Sequence, residues 1–413
     1  MRVAGSPSTL TWLNALSISL VLLAAPVLSR ILGPEGRGEI YPLLGMTAVL
    51  TSFLLLGSNV TIRALFVNGH VSMRKILTQQ SVYSIFLVGS CLAFALIFLP
   101  GGRSLGLGST LLVATLPLLA LFQLNFVGVL LARQKYLQAG IGLLATPVSQ
   151  FIAAITLLVW RMPAIPTMLL YQALGLITVN LFLAASVKSE LRKNVMPIVD
   201  FAWLTSLSNM LYEVSVAIAG RLDLLLALLF LGTRDAGIYS LALTASMAIM
   251  VISGAVISVN YYPSAEKEGQ LSLSERLSAL IIITFFASTA LGALSYALIP
   301  TIFGSEFIAT TEIVVILCFA SGFLLVTRTT SQILILSKRG RRSLINSLSA
   351  LLAFILAFVL TQPLELLGLS LSVLIWHATS AIMNLRALGV GFSEFNPDLG
   401  HAYKLIRSVL RPG

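Results

Sequence analysis

Glu213, Arg221 and Asp223 share a single apolar run, residues 201–231. As a helix, at 1.5 Å per residue, that run would extend about 46 Å. The hydrocarbon core of a bilayer is only about 30 Å thick, so the run must tilt, bend or begin at the interface. At 3.6 residues per turn, Ser206, Asn209, Glu213, Gly220 and Asp223 fall within an arc of about 100°. Arg221 points elsewhere unless the axis breaks at Gly220. A charge at membrane depth costs at least a few kcal/mol and calls for a partner or a wet cavity. Two carboxylates on such a stripe can accept protons or order a coupling cation, and an arginine beside them can meet a phosphate. The plain alternative is a neutralising Arg221–Asp223 pair near the interface.

Other polar groups at membrane depth are sparser. Arg328 stands before Thr-Thr-Ser-Gln, about ten residues or 15 Å from the basic cluster at Lys338, too far to snorkel comfortably. A guanidinium grips phosphate through paired donors, so Arg328 is a second anion candidate. The matching place in an earlier run holds Gln123 and Asn125. Thr11, Asn14 and Ser17 form a lesser stripe, which could line a lumen or bond a neighbouring helix equally well. Arg63 ends its run beside a basic loop, where a substrate contact competes with snorkelling. His377 reads as a neutral histidine bonded to another helix in preference to a proton relay. Three scattered histidines and two distant cysteines offer no metal site and no disulfide framework. The stretch GPEGRG lacks the Lys-Ser/Thr of a phosphate loop and follows no strand.

These groups are set in a chain that is 57% hydrophobic and only 10% charged, with a mean hydropathy of +0.97. A soluble domain carries about 25% charged residues, so lipid is the expected solvent. Apolar runs of membrane-spanning length cover residues 10–29, 40–62, 76–99, 110–132, 140–160 and 167–187. They resume at 201–231, 237–261, 277–299, 312–336, 343–361 and 366–385. The runs are continuous rather than alternating, which requires helices and not barrel strands. The expected class is therefore all-α, a polytopic membrane protein of about twelve transmembrane helices. The first run reads as a retained span, not a signal peptide.

The net charge of +11 is distributed between runs, as the positive-inside rule requires, and not clustered as a nucleic-acid footprint. With the N-terminus inside, cytoplasmic segments hold nineteen basic residues and the opposite loops five, namely Arg30, Arg37, Arg103, Arg161 and Arg234. Both termini are thus expected in the cytoplasm, with the tail at 386–413 lying on the inner leaflet as a short amphipathic helix.

The motif LGPEGRGEIY after the first run returns as LGTRDAGIY after the seventh, and LLARQKYLQAGIGLLATPVS returns as LILSKRGRRSLINSLSALLA. Two six-helix lobes of like orientation follow, residues 1–195 and 196–385, related by a pseudo-two-fold along the membrane normal with a cavity between them. Tyr41 and Tyr239 suit the headgroup boundary.

RILGPEGRGEIY, GSNVTIRALF and RLDLLLALLFLGTRDAGIYSLA resemble the polysaccharide and O-antigen flippases of the multidrug/oligosaccharidyl-lipid/polysaccharide exporter superfamily. The resemblance runs over nearly the whole chain. It implies a two-lobe transporter that turns a polyprenyl-pyrophosphate-linked oligosaccharide from the cytoplasmic to the outer leaflet of a bacterial or archaeal inner membrane by alternating access. On that reading Arg221, Arg328, Asn14, Asn125 and Arg63 meet substrate, and Glu213 and Asp223 couple transport to a proton or sodium ion. No cofactor, metal, nucleic acid or oligomer is called for, and membrane lipids surround the protein. A cation-coupled exporter of small amphiphilic compounds on the same scaffold is the alternative. A membrane enzyme is disfavoured by short outer loops and the absence of Asp-x-Asp.

Overall fold

Helix α1 (Pro7–Leu55) is 49 residues long. Drawn straight it would reach about 74 Å, more than twice the depth of a bilayer core. The computed structural model of the protein shows how the chain avoids this. At Gly33 the backbone leaves the helix with φ 62° and ψ −178°, so two spans meet at one residue. The structure describes residues 7–55, 107–160, 162–191, 221–250, 273–336 and 339–390. The second glycine turn repeats the device, with Gly232 at φ 97° and ψ 178°. A side chain at positive φ would be strained, which is why glycine stands at both places. The apolar runs read from the sequence leave a polar interruption of ten residues at the first turn and five at the second; the observed break is a single glycine in each.

The remaining described helices are α2 (Leu107–Ala132), α3 (Tyr136–Leu143), α4 (Ala145–Trp160) and α5 (Ala164–Leu191). Then follow α6 (Leu222–Leu226), which continues as a π turn to Leu231, and α7 (Thr233–Ser246). The C-terminal set is α8 (Leu273–Leu298), α9 (Thr310–Leu336), α10 (Gly340–Thr361) and α11 (Glu365–Leu388). No strand occurs among the described residues, so the all-α expectation is met. The third expected span, at 76–99, and most of the seventh lie outside the described residues.

The chain divides into two compact units. One holds Met1–Gly5 and Glu39–Arg221; the other holds Ser6–Gly38 and Leu222–Gly413. The lobe boundary expected at residue 195 lies outside the described residues, and the first span up to Gly38 falls with the C-terminal helices.

Each unit has an apolar core with polar bonds threaded through it. In the first, Phe126, Val127, Leu130, Ala139, Leu183 and Val187 pack together from α2, α3 and α5. Gln123 donates to the carbonyl of Gly142 at 2.6 Å, and Asn180 to that of Leu119 at 2.8 Å. In the second, Leu277, Leu280, Leu325, Val326, Ala381 and Leu385 pack together from α8, α9 and α11. Asn346 donates to the Asn384 carbonyl oxygen at 2.9 Å, and Asn384 to Ser331 Oγ at 2.8 Å. Lipid offers no hydrogen bonds, so polar side chains turn inward and close on one another.

The internal repeat is visible in these bonds. Lys135 N–H bonds the Leu130 carbonyl at 2.8 Å, and Arg339 N–H bonds that of Leu334 at 2.7 Å. The same two side chains donate towards the C-terminal ends of α5 and α11, Lys135 Nζ to the Ser186 carbonyl and Arg339 Nη1 to that of Ala387. A cation near the C-terminal end of a helix meets its negative dipole end. Aligning the repeated stretches sets Lys135 on Arg339, so one staple is built twice.

Asn384→Ala removes two buried bonds and is expected to destabilise the detergent-solubilised protein by about 1–3 kcal/mol. Asn346→Ala removes one and should cost less. Thermal unfolding of both variants checks the order.

Candidate functional site

The residues that follow the two glycine turns lie against each other. A Cβ built on Gly38 would collide with the Thr233 carbonyl, and one built on Gly237 would collide with the Pro34 carbonyl. In the aligned repeat Gly38 matches Gly237 and Pro34 matches Thr233. The contact is therefore reciprocal, each repeat presenting a glycine to the other's carbonyl. Only a Cα hydrogen fits in either place.

Arg37 lies within this crossing and is fully buried. Its Nε donates to Ser240 Oγ at 3.1 Å, Nη1 to Ser29 Oγ at 3.0 Å and Nη2 to Thr244 Oγ1 at 3.3 Å. The three hydroxyls spend their own protons on helix carbonyls, Ser29 on Ala25, Ser240 on Gly237 and Thr244 on Ser240. Their lone pairs are thereby left for the guanidinium, which has donors and no acceptor. Taking an ion out of water costs several kcal/mol, and hydrogen bonds to a charged group return about 1.5–3 kcal/mol each. The sequence places Arg37 among the loop charges opposite the cytoplasmic side; in the structure it is buried within α1. The two glycines beside it in GRG are the signal that could have found it, because they admit a second backbone.

Asp223 is buried on α6, its Oδ1 accepting from Leu224 N–H at 2.8 Å and its Oδ2 from the Tyr239 hydroxyl at 2.9 Å. Tyr239 is fully buried, so its hydroxyl is turned into the protein and not out towards headgroups. Its hydroxyl has to find a partner when buried, and the carboxylate supplies one. Thr310 adds a bond to the Ile238 carbonyl, and Arg30 binds the carbonyls of Thr301 and Ile302. The second unit is thus tied at this end by residues of α1, α6, α7 and α9.

Of the other expected site residues, Arg221 and Asn125 belong to the first unit and Asn14 and Arg328 to the second. Arg221 is half-buried, with its side chain against Gly45. Asn14 is half-buried on α1, and Asn125 is fully buried on α2. Arg328 is half-buried on α9, within range of the buried His377, whose carbonyl accepts from Thr327. Arg63 and Glu213 lie outside the described residues. No group of side chains fit to hold a metal is found among the described residues.

No family model matches the chain, and no curated protein matches it. Solved structures do. A MATE transporter in complex with MaL6 matches with a TM-score of 0.64 at 16% identity, over 98% of this chain and 97% of the other. An inward-facing multidrug resistance MATE family transporter of the MOP superfamily matches at 0.61 and 17% identity, over 94% and 95%. A MOP superfamily transporter from Pyrococcus furiosus, described as having a binding pocket of reverse polarity, matches at 0.62 and 16% identity, over 99% and 98%. The chain has the fold of these transporters along its full length, in keeping with the expected twelve-helix, two-lobe class.

Two predictions follow from the crossing. Tyr239→Phe takes a donor from a buried carboxylate and should destabilise the protein by about 1–3 kcal/mol, read by thermal unfolding. Asp235, half-buried in the turn before the span, is held above the ordinary carboxyl value of 3.8 by burial and by the Glu365 charge, against a smaller opposing effect of Arg234. Its ionised form is therefore penalised in the folded state, fully at neutral pH and less as the pH falls through the raised value. Asp235→Asn should raise the melting temperature at pH 7.5, and the gain should vanish as the pH nears 3.8.

Proposed function

We propose that this protein is a membrane exporter working by alternating access and not an enzyme. The observation that carries this is the full-length likeness to MATE and MOP transporters. The seven helical segments long and apolar enough to cross a membrane, among the described residues, support it. Two lobes that rock around a central site are the usual mechanical solution on a repeat of this kind. In this reading Glu213 and Asp223 take up the coupling ion, while Arg221, Arg328, Asn14, Asn125 and Arg63 contact cargo. The excess of basic residues on alternate loops supports a cytoplasmic position for both termini.

Two cargo classes remain, each with an observation in its favour. The neighbours lean towards small amphiphilic compounds, since one of them is a multidrug resistance transporter. This chain's own residues favour the other. RILGPEGRGEIY and LGTRDAGIY resemble polysaccharide flippases, and Arg221 and Arg328 within the apolar runs would suit the phosphates of an anionic lipid-linked oligosaccharide. A neighbour with a pocket of reverse polarity supports the view that one fold serves cargoes of opposite charge.

Purified protein in liposomes should move at least one of two probes when a proton or sodium gradient is imposed. Ethidium efflux assigns the amphiphile class. Leaflet-resolved transfer of a labelled polyprenyl-pyrophosphate oligosaccharide, without ethidium efflux, assigns the lipid-linked class. Movement of neither probe removes the exporter reading. Glu213→Gln should lower the rate several-fold at an unchanged membrane level; an unaltered rate across pH 5 to 8 would remove Glu213 from coupling.

A further inference from the structure

One turn of the second unit gathers positive charge where a helix already carries its own. Helix α10 opens on Arg339 as its N-cap, followed by Gly340, Arg341 and Arg342. The start of a helix is the positive end of its dipole, and its first backbone N–H groups have no partner within the helix. Acidic residues usually answer this; the first turn of α10 holds none, and Arg339 makes no side-chain cap bond. Arg341 and Arg342 are exposed, and neither pairs with a carboxylate among the described residues. Arg339 reaches the Ala387 carbonyl at the end of α11, which brings the neighbouring, exposed Arg386 to the same turn. Ser343 is fully buried at the start of α10, and its Oγ has no hydrogen-bond partner. The Cα–Cβ bonds of a helix tilt towards its N-terminus, so this hydroxyl leans to the same end. Cations, open N–H groups and a spare hydroxyl all want an anion.

The first repeat shows that the turn itself does not require these residues. Lys135 makes the bonds that match those of Arg339. Yet where the second repeat has Gly340, Arg341, Arg342 and Ser343, the first has Tyr136, Leu137, Gln138 and Ala139. Tyr136 and Ala139 are buried. The second repeat thus gives up a ring and gains two guanidinium groups and a hydroxyl, with the staple unchanged. Along α10, Ile345, Leu348 and Leu352 follow Arg341 at the spacing of one helix face, and all three are exposed. A cationic head continued by an apolar stripe complements a phosphate that carries acyl chains.

From this we infer that the start of α10 and the end of α11 form a binding site for an anionic phospholipid. Its phosphate is held by Arg341, Arg342 and the first N–H groups of α10, with Arg339 and Arg386 at its edge, and its chains lie along Ile345, Leu348 and Leu352. A guanidinium meets phosphate through paired donors, and a helix start meets it through backbone N–H groups. With both termini cytoplasmic, α10 begins in the inner leaflet, where acidic lipids are found. The inference goes beyond the exporter reading and does not depend on the cargo.

Full-length protein in a neutral detergent can be titrated with dioleoyl phosphatidylglycerol and read by native mass spectrometry. It should retain this lipid at concentrations where dioleoyl phosphatidylcholine is lost. Arg341→Gln/Arg342→Gln should cut retention about ten-fold, whereas Lys188→Gln, at the end of α5, should leave it unchanged. Equal retention of the two lipids, or undiminished retention in the double variant, overturns the site. Should the double variant not fold, Gly340→Tyr returns the residue of the first repeat. Retention lowered in that variant supports the site, and full retention overturns it. Thermal unfolding separates lipid from free phosphate. Phosphatidylglycerol should raise the melting temperature of the unaltered protein by more than inorganic phosphate does. An equal rise with phosphate alone, lost in the double variant, assigns the turn to a free anion and overturns the lipid.

Discussion

A guanidinium held out of water dictates the residues around it. Arg37 must give its protons to acceptors, and the chain offers it three hydroxyls whose own protons are already committed to helix carbonyls. Serine and threonine can do this within a helix because their hydroxyls bond back to the preceding turn, freeing the oxygen's other face. They are also small enough to let two segments approach until only glycine fits at Gly38 and Gly237. The charge, the hydroxyls and the glycines are thus one requirement met by three residue types. Replacing any one of them with a bulky apolar side chain would leave the others without a purpose.

The same inversion of the soluble rule runs through the rest of the chain. Leu181 and Leu360 are 70% and 80% exposed, while Asn384 and Ser331 are fully buried. With lipid outside there is little to gain by hiding leucine, so close packing and internal hydrogen bonds must hold helices together. Gly142 shows the packing half: a Cβ there would approach Val127 Cγ2 to 2.8 Å. Its carbonyl shows the bonding half, since the absence of a side chain lets Gln123 reach it. The Ser331–Asn384–Asn346 chain achieves in the second unit, with three side chains, what Gln123 and Asn180 achieve in the first with backbone carbonyls.

Much of this architecture was legible in the sequence. A bilayer demands a long unbroken apolar run for each crossing, so α2, α5, α9 and α11 extend at most a few residues beyond the runs read for them. The two turns were legible as a repeat but not as single-residue corners, because polar residues can belong to a helix end as easily as to a loop. Tyr239 was assigned to the headgroups because tyrosines are common there. Its partner Asp223 lies sixteen residues away in the chain, and no local pattern links the two. Arg37 was missed for the opposite reason: a charge in a polar stretch raises no alarm until a second backbone is known to cover it.

Where the two repeats differ, they differ in complete sets. Aligned on Gly33 and Gly232, Asp223 stands opposite Ala24 and Tyr239 opposite Ile40, and both of those replacements are buried. The carboxylate and the hydroxyl that satisfies it are present together in one repeat and absent together from the other. Arg37 stands opposite Ala236, and its acceptors Ser29, Ser240 and Thr244 stand opposite Leu228, Tyr41 and Gly45. A half-set would strand a polar atom in a dry place at a cost of about 1–3 kcal/mol, so partial versions are selected against. The backbone repeat can therefore stay near symmetric while polar groups accumulate as closed units, the Asp223–Tyr239 pair within one repeat and the Arg37 set across both. That separation lets one duplicated scaffold carry an arginine in one repeat and a carboxylate in the other without either destabilising the turn they share.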